Sequence, residues 1–429
     1  MIRRALTVAA LAGALLTALV LPAAAGESGD GSAIRGTLEN IEGGTREPVA
    51  GVTITVHQDG TLIGSAVSDE SGDWRVPVPA PGVYQVELDV STLPEGIALT
   101  NPDNYLLPQV EVSSGQAKVV RFNLGPGLSG SVGRWQRVWG LFLIGLKLGA
   151  IIALSSIGLS LVFGVTGLVN FAHGDLVTLG ALIAFFFSTS PLGPGWPILL
   201  AIVPALVISG AFGGAQEAWL WRPLRRRKSG LVSLIVISIG LSFVIRYGIL
   251  VLFSGLPKPY AQYAVQTPID FLGAPVVPKT LVVIVVAAVT LALVGLFLIK
   301  TQMGTAMRAV SDNGDLAESS GIDVNRVIMV TWILGAALAA FGGILLGVSE
   351  QVQWDMGFKI LLLIFAAVIL GGLGTAFGAM IGGFAIGVAV EMSTLVVPVE
   401  FKTAVALGIL VVMLLFRPQG LLGTSERVG

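Results

Sequence analysis

A short polar, glycine-containing segment lies between two of the most apolar stretches of this chain. It reads Gly167-Leu-Val-Asn-Phe-Ala-His-Gly-Asp-Leu176 and places an amide, an imidazole and a carboxylate between runs apolar enough to cross a bilayer. Hydrocarbon offers these groups no hydrogen-bonding partner, so they must be paired within the protein or line a water-filled cavity. The segment therefore predicts a place where something polar is handled at membrane depth.

The composition shows which solvent most of the chain faces. Of the 429 residues, 54% are hydrophobic and 12% are charged, whereas soluble domains carry about 25% charged residues. Most of the chain is therefore expected to lie in lipid. The net charge of -1 gives no overall attraction to nucleic acid. The lack of cysteine and the presence of only two histidines, His57 and His173, argue against a disulfide, a thiol nucleophile or a metal site.

The N-terminus has the pattern of a secretory signal peptide over residues 1–25. A basic lead that ends at Arg4 precedes an apolar run from Ala5 to Leu21, and small residues follow at 23–26. The alternative is an uncleaved first membrane span. In either case the residues that follow are expected outside the cytoplasm.

Residues 26–124 have a soluble composition and strand-like periodicity. Apolar and polar residues alternate over 52–57 and 84–90, and turn sequences separate these stretches. About seven short strands are expected, which favours a small all-β sandwich domain. A flexible linker is predicted at 125–137.

Three motifs of this domain resemble the carboxypeptidase-regulatory-like (transthyretin-like) family. They are Gly51-Val-Thr-Ile-Thr-Val56, Ser68-Asp-Glu-Ser-Gly-Asp-Trp-Arg-Val76 and Gly82-Val-Tyr-Gln-Val86. The resemblance implies a binding or spacer module without catalysis. Asp69, Glu70 and Asp73 could hold calcium, but their spacing does not match a calcium loop, which favours an ordinary solvated turn.

Nine apolar runs follow, and most are near the length needed to cross about 30 Å of hydrocarbon. They are residues 138–165, 174–190, 197–219, 230–253, 279–299, 328–349, 358–373, 376–393 and 401–416. The two runs around Gly371-Gly-Leu-Gly374 are short and could be a broken or re-entrant pair. With the first segment outside, nine spans place 220–229, 300–327 and the C-terminus in the cytoplasm. Most of the arginines of the membrane part lie in those segments, in agreement with the positive-inside rule. The sequence thus predicts a polytopic α-helical membrane protein with a cytoplasmic C-terminus.

Glycines and charged residues within the spans carry further predictions. Gly374, Gly378 and Gly382 are spaced by four, a pattern that lets helices pack closely. For Glu217, Arg246 and Glu391 an interior ion pair or snorkelling is favoured over substrate contact. Lys147 is expected either to be paired in the same way or to line a path.

Residues 300–326 form a second informative stretch. The sequence predicts a short helix, a turn at Ser311-Asp-Asn-Gly314, a second short helix over Leu316–Ser320 and a helix end at Gly321. Such a helix pair could press into a partner protein. The alternative is an ordinary solvated loop.

Five motifs occur in one order along the membrane part, from about residue 138 to 424. They are Gly167-Leu-Val-Asn-Phe-Ala-His-Gly-Asp175, Trp221-Arg-Pro-Leu-Arg-Arg226, Met307-Arg-Ala-Val-Ser-Asp-Asn-Gly-Asp-Leu-Ala-Glu-Ser-Ser-Gly-Ile322, Ala367-Val-Ile-Leu-Gly-Gly-Leu-Gly-Thr-Ala-Phe-Gly-Ala379 and Arg417-Pro-Gln-Gly-Leu-Leu-Gly423. Together they resemble the permease subunit of branched-chain amino acid (LIV-type) ABC importers. The resemblance implies the fold of those permeases, a location in the plasma membrane and import of a branched-chain amino acid. Urea or short-amide importers, which share this permease type, are the alternative.

The resemblance also implies partners. Residues 307–322 would be the coupling loop that docks on a cytoplasmic ATPase, and its candidate contact residues are Arg308, Asp315, Glu318 and Gly321. The chain contains no Gly-x-x-x-x-Gly-Lys-Ser/Thr sequence, so ATP-Mg would be bound by that partner and no cofactor by this chain. The other expected partners are a second, similar or identical permease, an extracytoplasmic solute-binding protein and membrane lipid, but no nucleic acid.

An unwound segment is expected near Asn170–Gly174, and the candidate substrate-translocation residues are Asn170, Phe171, Ala172, His173 and Gly174. A helix that begins there would present backbone N–H groups and its positive dipole end to a substrate carboxylate. The alternative is a structural turn in which Asn170 caps the helix and His173 bonds a backbone carbonyl.

Two other function classes fit the sequence less well. A membrane-anchored receptor would need only one or two spans. An intramembrane enzyme would need a metal or nucleophile constellation such as His-x-x-x-His with a carboxylate, and the sequence contains none.

Overall fold

The computed structural model describes residues 32–42, 45–58, 60–99, 102–112, 117–124, 134–190, 192–253, 255–260, 266, 268–417 and 419–423. The predicted signal peptide and residues 125–133 of the predicted linker lie outside these ranges. The described residues form two compact units that meet in the sequence between Trp135 and Gln136.

The N-terminal unit is built from ten strands. They are β1 Ala33–Thr37, β2 Glu39–Glu42, β3 Thr45–Pro48, β4 Thr53–Gln58, β5 Thr61–Val67, β6 Asp73–Pro77, β7 Gly82–Leu88, β8 Leu106–Val112, β9 Ala117–Val119 and β10 Asn123–Leu124, with 3-10 turns at Val90–Thr92 and Pro102–Tyr105. The largest sheet has the order β5-β4-β7-β8, with every pair antiparallel. Two three-stranded sheets have the orders β6-β1-β9 and β10-β2-β3. A small β domain is thereby confirmed.

Apolar and polar residues alternate along these strands, so each strand turns its apolar side chains to a common core. Ile54, Val56, Val86 and Leu88 are fully buried, and the residues between them are more exposed. Seven strands were expected and ten are present in the described part of this unit, because the pieces of two to four residues are too short to show an alternation. The acidic turn is a local structure: the Asp69 carboxylate accepts hydrogen bonds from the N–H groups of residues 71 and 73.

The second unit is helical. Its helices are α1 Arg134–Thr166, α2 His173–Ser188, α3 Ile198–Gln216, α4 Arg222–Arg226, α5 Leu231–Phe253, α6 Pro278–Lys300, α7 Gln302–Asp312, α8 Gly314–Ser319, α9 Val324–Ser349, α10 Met356–Gly371, α11 Ala376–Ser393 and α12 Lys402–Phe416. A π-helical turn at Glu217–Trp221 joins α3 to α4, and a 3-10 turn at Val399–Phe401 precedes α12. A hairpin of β11 Ile269–Phe271 and β12 Ala274–Val276 precedes α6.

Within the described residues, seven helical stretches are long and apolar enough to cross a membrane, and α2 and α10 are shorter apolar helices. These nine segments correspond to the nine predicted apolar runs, so the polytopic helical fold is confirmed. The helices α2 and α10 are short because a non-helical segment lies directly before α2 and another directly after α10.

The helix α9 is the centre of the bundle. It packs against α2 and α3, and Gly335 in α9 lies directly against Gly158 in α1. A Cβ atom on either glycine would meet the backbone of the other, so two helix axes come unusually close there. The helices α5, α6 and α12 are mostly unburied in this chain, and their exposed apolar side chains suit contact with lipid.

Candidate functional site

The polar segment lies at a break between α1 and α2. The helix α1 ends at Thr166, and Gly167 has a φ of 67° that an L-residue rarely adopts. Residues 167–172 are not helical, and α2 begins at His173. The chain therefore leaves the helical conformation for six residues within an apolar bundle, where each backbone group needs a partner.

Three side chains supply partners for this backbone. The Asn170 side-chain oxygen accepts a hydrogen bond from the N–H of Ala172 at 3.0 Å. The hydroxyl of Ser238, which lies in α5, accepts one from the N–H of Phe171 at 3.2 Å and donates to the carbonyl of Ile235 at 2.7 Å. The Thr166 hydroxyl at the end of α1 accepts another from the N–H of Leu168 at 3.2 Å. The break is thus held by one side chain of its own and one from each of two helices.

His173 is buried at the first position of α2. Its Nε2 lies 2.9 Å from the carbonyl oxygen of Ser155 in α1. A carbonyl only accepts hydrogen bonds, so this nitrogen must be the donor. Asn170 is also buried, and its side-chain nitrogen has no partner among the described residues. The contacts of the Asn170 oxygen and His173 are those expected of a structural turn, whereas the Asn170 side-chain nitrogen is a buried donor without a partner among the described residues.

The remaining candidates of the segment contact α10. The Phe171 ring lies 5.1 Å from that of Phe365, measured between centroids. Gly174 lies against Gly357 so closely that a Cβ on either residue would meet the carbonyl of the other. The hydroxyl of Thr178 accepts a hydrogen bond from the Gly357 N–H at 3.0 Å. The starts of α2 and α10 therefore touch through their backbones, while Ala172 is fully buried beside them.

Directly after the segment, Asp175 forms a buried ion pair. Its Oδ1 accepts a hydrogen bond from Arg246 Nε at 3.1 Å, and Arg246 Nη2 donates to the Ser242 hydroxyl at 2.6 Å. The guanidinium carbon lies 3.6 Å from the centre of the Phe358 ring, a cation–π contact. This pair joins α2, α5 and α10 at one place in the bundle.

The other charged residues within the spans follow the predicted pattern. Glu217 is fully buried and accepts hydrogen bonds from Arg222 and Arg225, while Glu391 pairs with Lys402 at 2.8 Å. Interior ion pairs are thereby confirmed for Glu217, Arg246 and Glu391. Lys147 is half-buried and forms no hydrogen bond or ion pair with the described residues.

The predicted helix pair of the 300–326 loop is present as α7 and α8. Asn313 caps α8 through a hydrogen bond from the N–H of Leu316 at 2.9 Å, and Gly321 ends the pair with a φ of 86°. Arg308 donates to the Leu298 carbonyl at the end of α6, so its guanidinium braces the loop. Asp315 and Glu318 are exposed.

Leu316 is a feature of this loop that sequence analysis did not single out. Its side chain is 64% exposed between the two exposed carboxylates of α8. Its apolar type, in a polar loop outside the spans, was the only indication available from the sequence.

The three glycines spaced by four occupy different environments. Gly378 and Gly382 lie in α11, and a Cβ on either would meet the backbone of α10, at Gly371 and Ala367 respectively. Gly374 lies in the turn before α11 with a φ of 81°, so its conformation rather than helix contact accounts for it.

Sequence analysis named Arg246 but missed Ser238 and Ser242, which form with it a polar stripe that supports the break. Ser238, Ser242 and Arg246 are spaced by four and therefore share one face of α5. All three are buried, in a helix whose other faces are largely exposed and apolar. A period of four in polar residues within an apolar span would have identified them. No group of three or more metal-ligating side chains occurs in the described ranges.

The chain is similar to known permease proteins. The family model described as "Branched-chain amino acid transport system / permease component" matches residues 141–414. The permease protein LivH of Escherichia coli K12 is 35% identical over 66% of this chain and 94% of its own length. BraD of Pseudomonas aeruginosa is 33% identical over the same shares, and LivM of E. coli K12 is 24% identical over 62% of this chain and 66% of its own.

No solved structure matches the chain. The match of the family model over most of the helical unit, together with relatives covered almost end to end, settles the classification. The chain belongs to the permease component family of branched-chain amino acid transport systems.

Proposed function

We propose that this protein is the membrane-spanning permease subunit of an ATP-driven importer for branched-chain amino acids. The observation that carries the proposal is the non-helical segment 167–172, in which Leu168, Asn170 and Ala172 are buried inside the bundle of apolar helices. An amino acid zwitterion cannot cross hydrocarbon unaided, and irregular backbone at that depth is tolerated where it lines a path or is buried in protein. LivH and BraD, which are named as permease proteins of high-affinity branched-chain amino acid transport systems, agree with this role.

Uptake in a deletion strain tests the substrate. Labelled leucine is expected to enter cells that carry the intact gene and to be excluded from the deletion strain, whereas labelled urea enters both equally. Urea uptake that depends on the gene would move the protein to the amide class. A chain that supports uptake of neither solute would contradict the importer proposal.

Alanine at Asn170 and at His173 tests whether the break itself is used. The Asn170 side-chain nitrogen is free to bond a solute, so Asn170→Ala is expected to slow import by about 10-fold, the loss of one buried hydrogen bond. His173→Ala removes a bond to Ser155 and is expected to act through folding. If both variants fold and import at the normal rate, the translocation assignment is wrong.

We further propose that the ATPase partner docks on α7 and α8. Asp315, Leu316 and Glu318 supply an exposed apolar side chain flanked by carboxylates, which suits a groove with a basic rim. ATP-Mg is then bound and hydrolysed by that partner. Co-purification of an ATP-hydrolysing subunit with the wild-type chain, weakened by Leu316→Asp and unaffected by Leu272→Asp in the β11–β12 turn, would support this surface.

The proposed orientation has the N-terminal β domain outside the cell and the C-terminus in the cytoplasm. The chain contains no native cysteine, so single cysteines report their side of the membrane without background. A membrane-impermeant maleimide should label Glu400→Cys in intact cells and Glu318→Cys only after the cells are opened. The opposite pattern would invert the topology.

The predicted domain boundaries are part of the same proposal. Residues 1–25 direct export, 26–124 form the outer β domain, 125–137 link it to the bundle and 138–424 form the permease. The β domain acts as a binding or spacer module, beside a second permease subunit and a solute-binding protein. Deleting it should leave membrane insertion intact and alter only delivery of solute.

A further inference from the structure

The ion pair between Asp175 and Arg246 leaves hydrogen-bonding atoms of both side chains unused, which is unusual for a pair that serves only to stabilise the fold. The two side chains are 1% and 7% exposed, yet a single bond of 3.1 Å joins Oδ1 to Nε. Asp175 Oδ2 is buried without a partner among the described residues, and Arg246 Nη1 forms no hydrogen bond with them. In a bidentate arginine–carboxylate pair, two N–H groups bind both carboxylate oxygens. A buried carboxylate oxygen without a hydrogen bond destabilises the folded state.

An aromatic surface flanks this pair. The guanidinium lies on the ring of Phe358 and 5.8 Å from the centre of the Phe243 ring. Both rings are about half exposed in this chain, at 48% and 50%. Two turns further along α10, Phe365 contacts Phe171 of the broken segment. A buried pair of opposite charges therefore lies beside partly exposed apolar rings, within one α-helical turn of the break.

We propose that Asp175 and Arg246 bind the two charges of an amino acid zwitterion during passage, and that Phe358 contacts its apolar side chain. The ammonium group pairs with the carboxylate of Asp175, and the substrate carboxylate pairs with the guanidinium of Arg246. The inference rests on the proposed import of branched-chain amino acids and names a recognition site for it. Ser242 is a positioning residue, because it orients Arg246 through Nη2.

The location of the pair on two helices allows this exchange. Asp175 is the third residue of α2, and Arg246 lies in α5. A small separation of these helices replaces one internal ion pair with two pairs to the substrate, so no charge is left unpaired in the bundle. A neutral amide or urea offers no such exchange, which makes the site selective for zwitterions.

The test uses the whole assembly, with its ATPase, second permease and binding protein, reconstituted in vesicles. The double variant Asp175→Asn with Arg246→Gln removes both charges together and so avoids an unpaired one. We expect it to assemble and to hydrolyse ATP, but to import at least about 10-fold less leucine per ATP, the loss that follows from removing a hydrogen bond to a charged group. The matched control, Glu391→Gln with Lys402→Gln, should keep the wild-type ratio.

The outcomes separate the two proposals. A wild-type assembly that imports no leucine contradicts the proposed function. A wild-type assembly that imports leucine, with an unchanged ratio in the double variant, shows a structural pair only and overturns this inference. If the double variant does not assemble, Ser242→Ala decides: it keeps both charges, and leucine imported per ATP should fall several-fold at an unchanged melting temperature, whereas an unchanged ratio overturns the inference.

Discussion

The apolar bundle contains two non-helical breaks, and the backbone groups of each need hydrogen-bond partners that the helices do not supply. The two breaks obtain these partners in different ways. The first, residues 167–172, separates α1 from α2, and the second, residues 372–375, separates α10 from α11. Each shortens an adjacent helix and exposes backbone groups that need hydrogen bonds. The first break takes partners from side chains of its own, of α1 and of α5, whereas the second takes them from the main chain of the C-terminal segment and from the Thr375 hydroxyl.

The partners of the second break come from a distant part of the sequence. The N–H groups of Leu421 and Leu422 donate to the carbonyls of Leu370 and Gly371 at 2.8 and 2.9 Å. A Cβ on Gly420 would meet the backbone of Gly372, and a Cβ on Gly372 would meet the backbone of Gly423. The C-terminal motif thus acts as a cap for the end of α10.

This difference indicates different constraints on the two breaks. Main-chain bonds tolerate most changes of side chain, so the second break depends on glycine and on an intact C-terminal segment. Side-chain bonds depend on individual residues, so the first break is sensitive at Asn170 and Ser238. A break held by side chains can also release them to another polar group, which suits the proposed path.

The largest expected effect comes from glycines at the contacts of each break. Gly357→Ala at the first and Gly378→Ala at the second place a methyl group against a backbone carbonyl. Each is expected to destabilise the bundle by about 1–3 kcal/mol or more, because backbone must shift. Thermal unfolding in detergent measures this. Gly248→Ala, whose Cβ would meet nothing within 4 Å, should be neutral or better, and equal melting temperatures for all three would refute the close contacts.

An intermediate effect is expected from Ser238→Ala. The change leaves the N–H of Phe171 without its partner inside the bundle, at a cost of about 1–3 kcal/mol. Ser233→Ala, on the exposed side of the same helix, is the matched control. A melting temperature equal to that of the control would mean that the first break does not rely on α5.

The smallest effect is expected at the C-terminal cap. Leu421→Pro removes one N–H donor, while Leu421→Ala keeps it. Proline should cost about 0.5–1.5 kcal/mol more than alanine, the net worth of one hydrogen bond. The comparison of melting temperatures isolates the main-chain bond, and a proline variant as stable as the alanine variant would show that the cap contributes nothing.

Much of the fold was predictable because it depends on the solvent. Nine apolar runs appear as nine helical segments, since lipid requires each span to satisfy its own backbone. The helix pair at 302–319 was predictable from its turn residues, and Gly321 from its place at a helix end. The short strands at 117–119 and 123–124 were not, because their pairing is set by strands distant in sequence.

The candidate site was only partly predictable. The chain order places Asn170, His173 and Asp175 together, so their neighbourhood was evident. Their partners were not: Ser155, Ser238 and Arg246 lie on two other helices. No local pattern specifies which face of one helix meets which face of another, although the period of four in α5 restricts the choice.

The sequence by itself determined that this protein has lipid-facing helices, a β domain before them and a polar interruption between two apolar helices, because hydrophobic patterning and glycine placement are local properties. Only the tertiary structure decided that His173 bonds a carbonyl of α1, that Asp175 pairs with Arg246 and that the C-terminal segment caps α10. These contacts depend on helix packing, in which residues far apart in the chain satisfy one another's polar groups away from water.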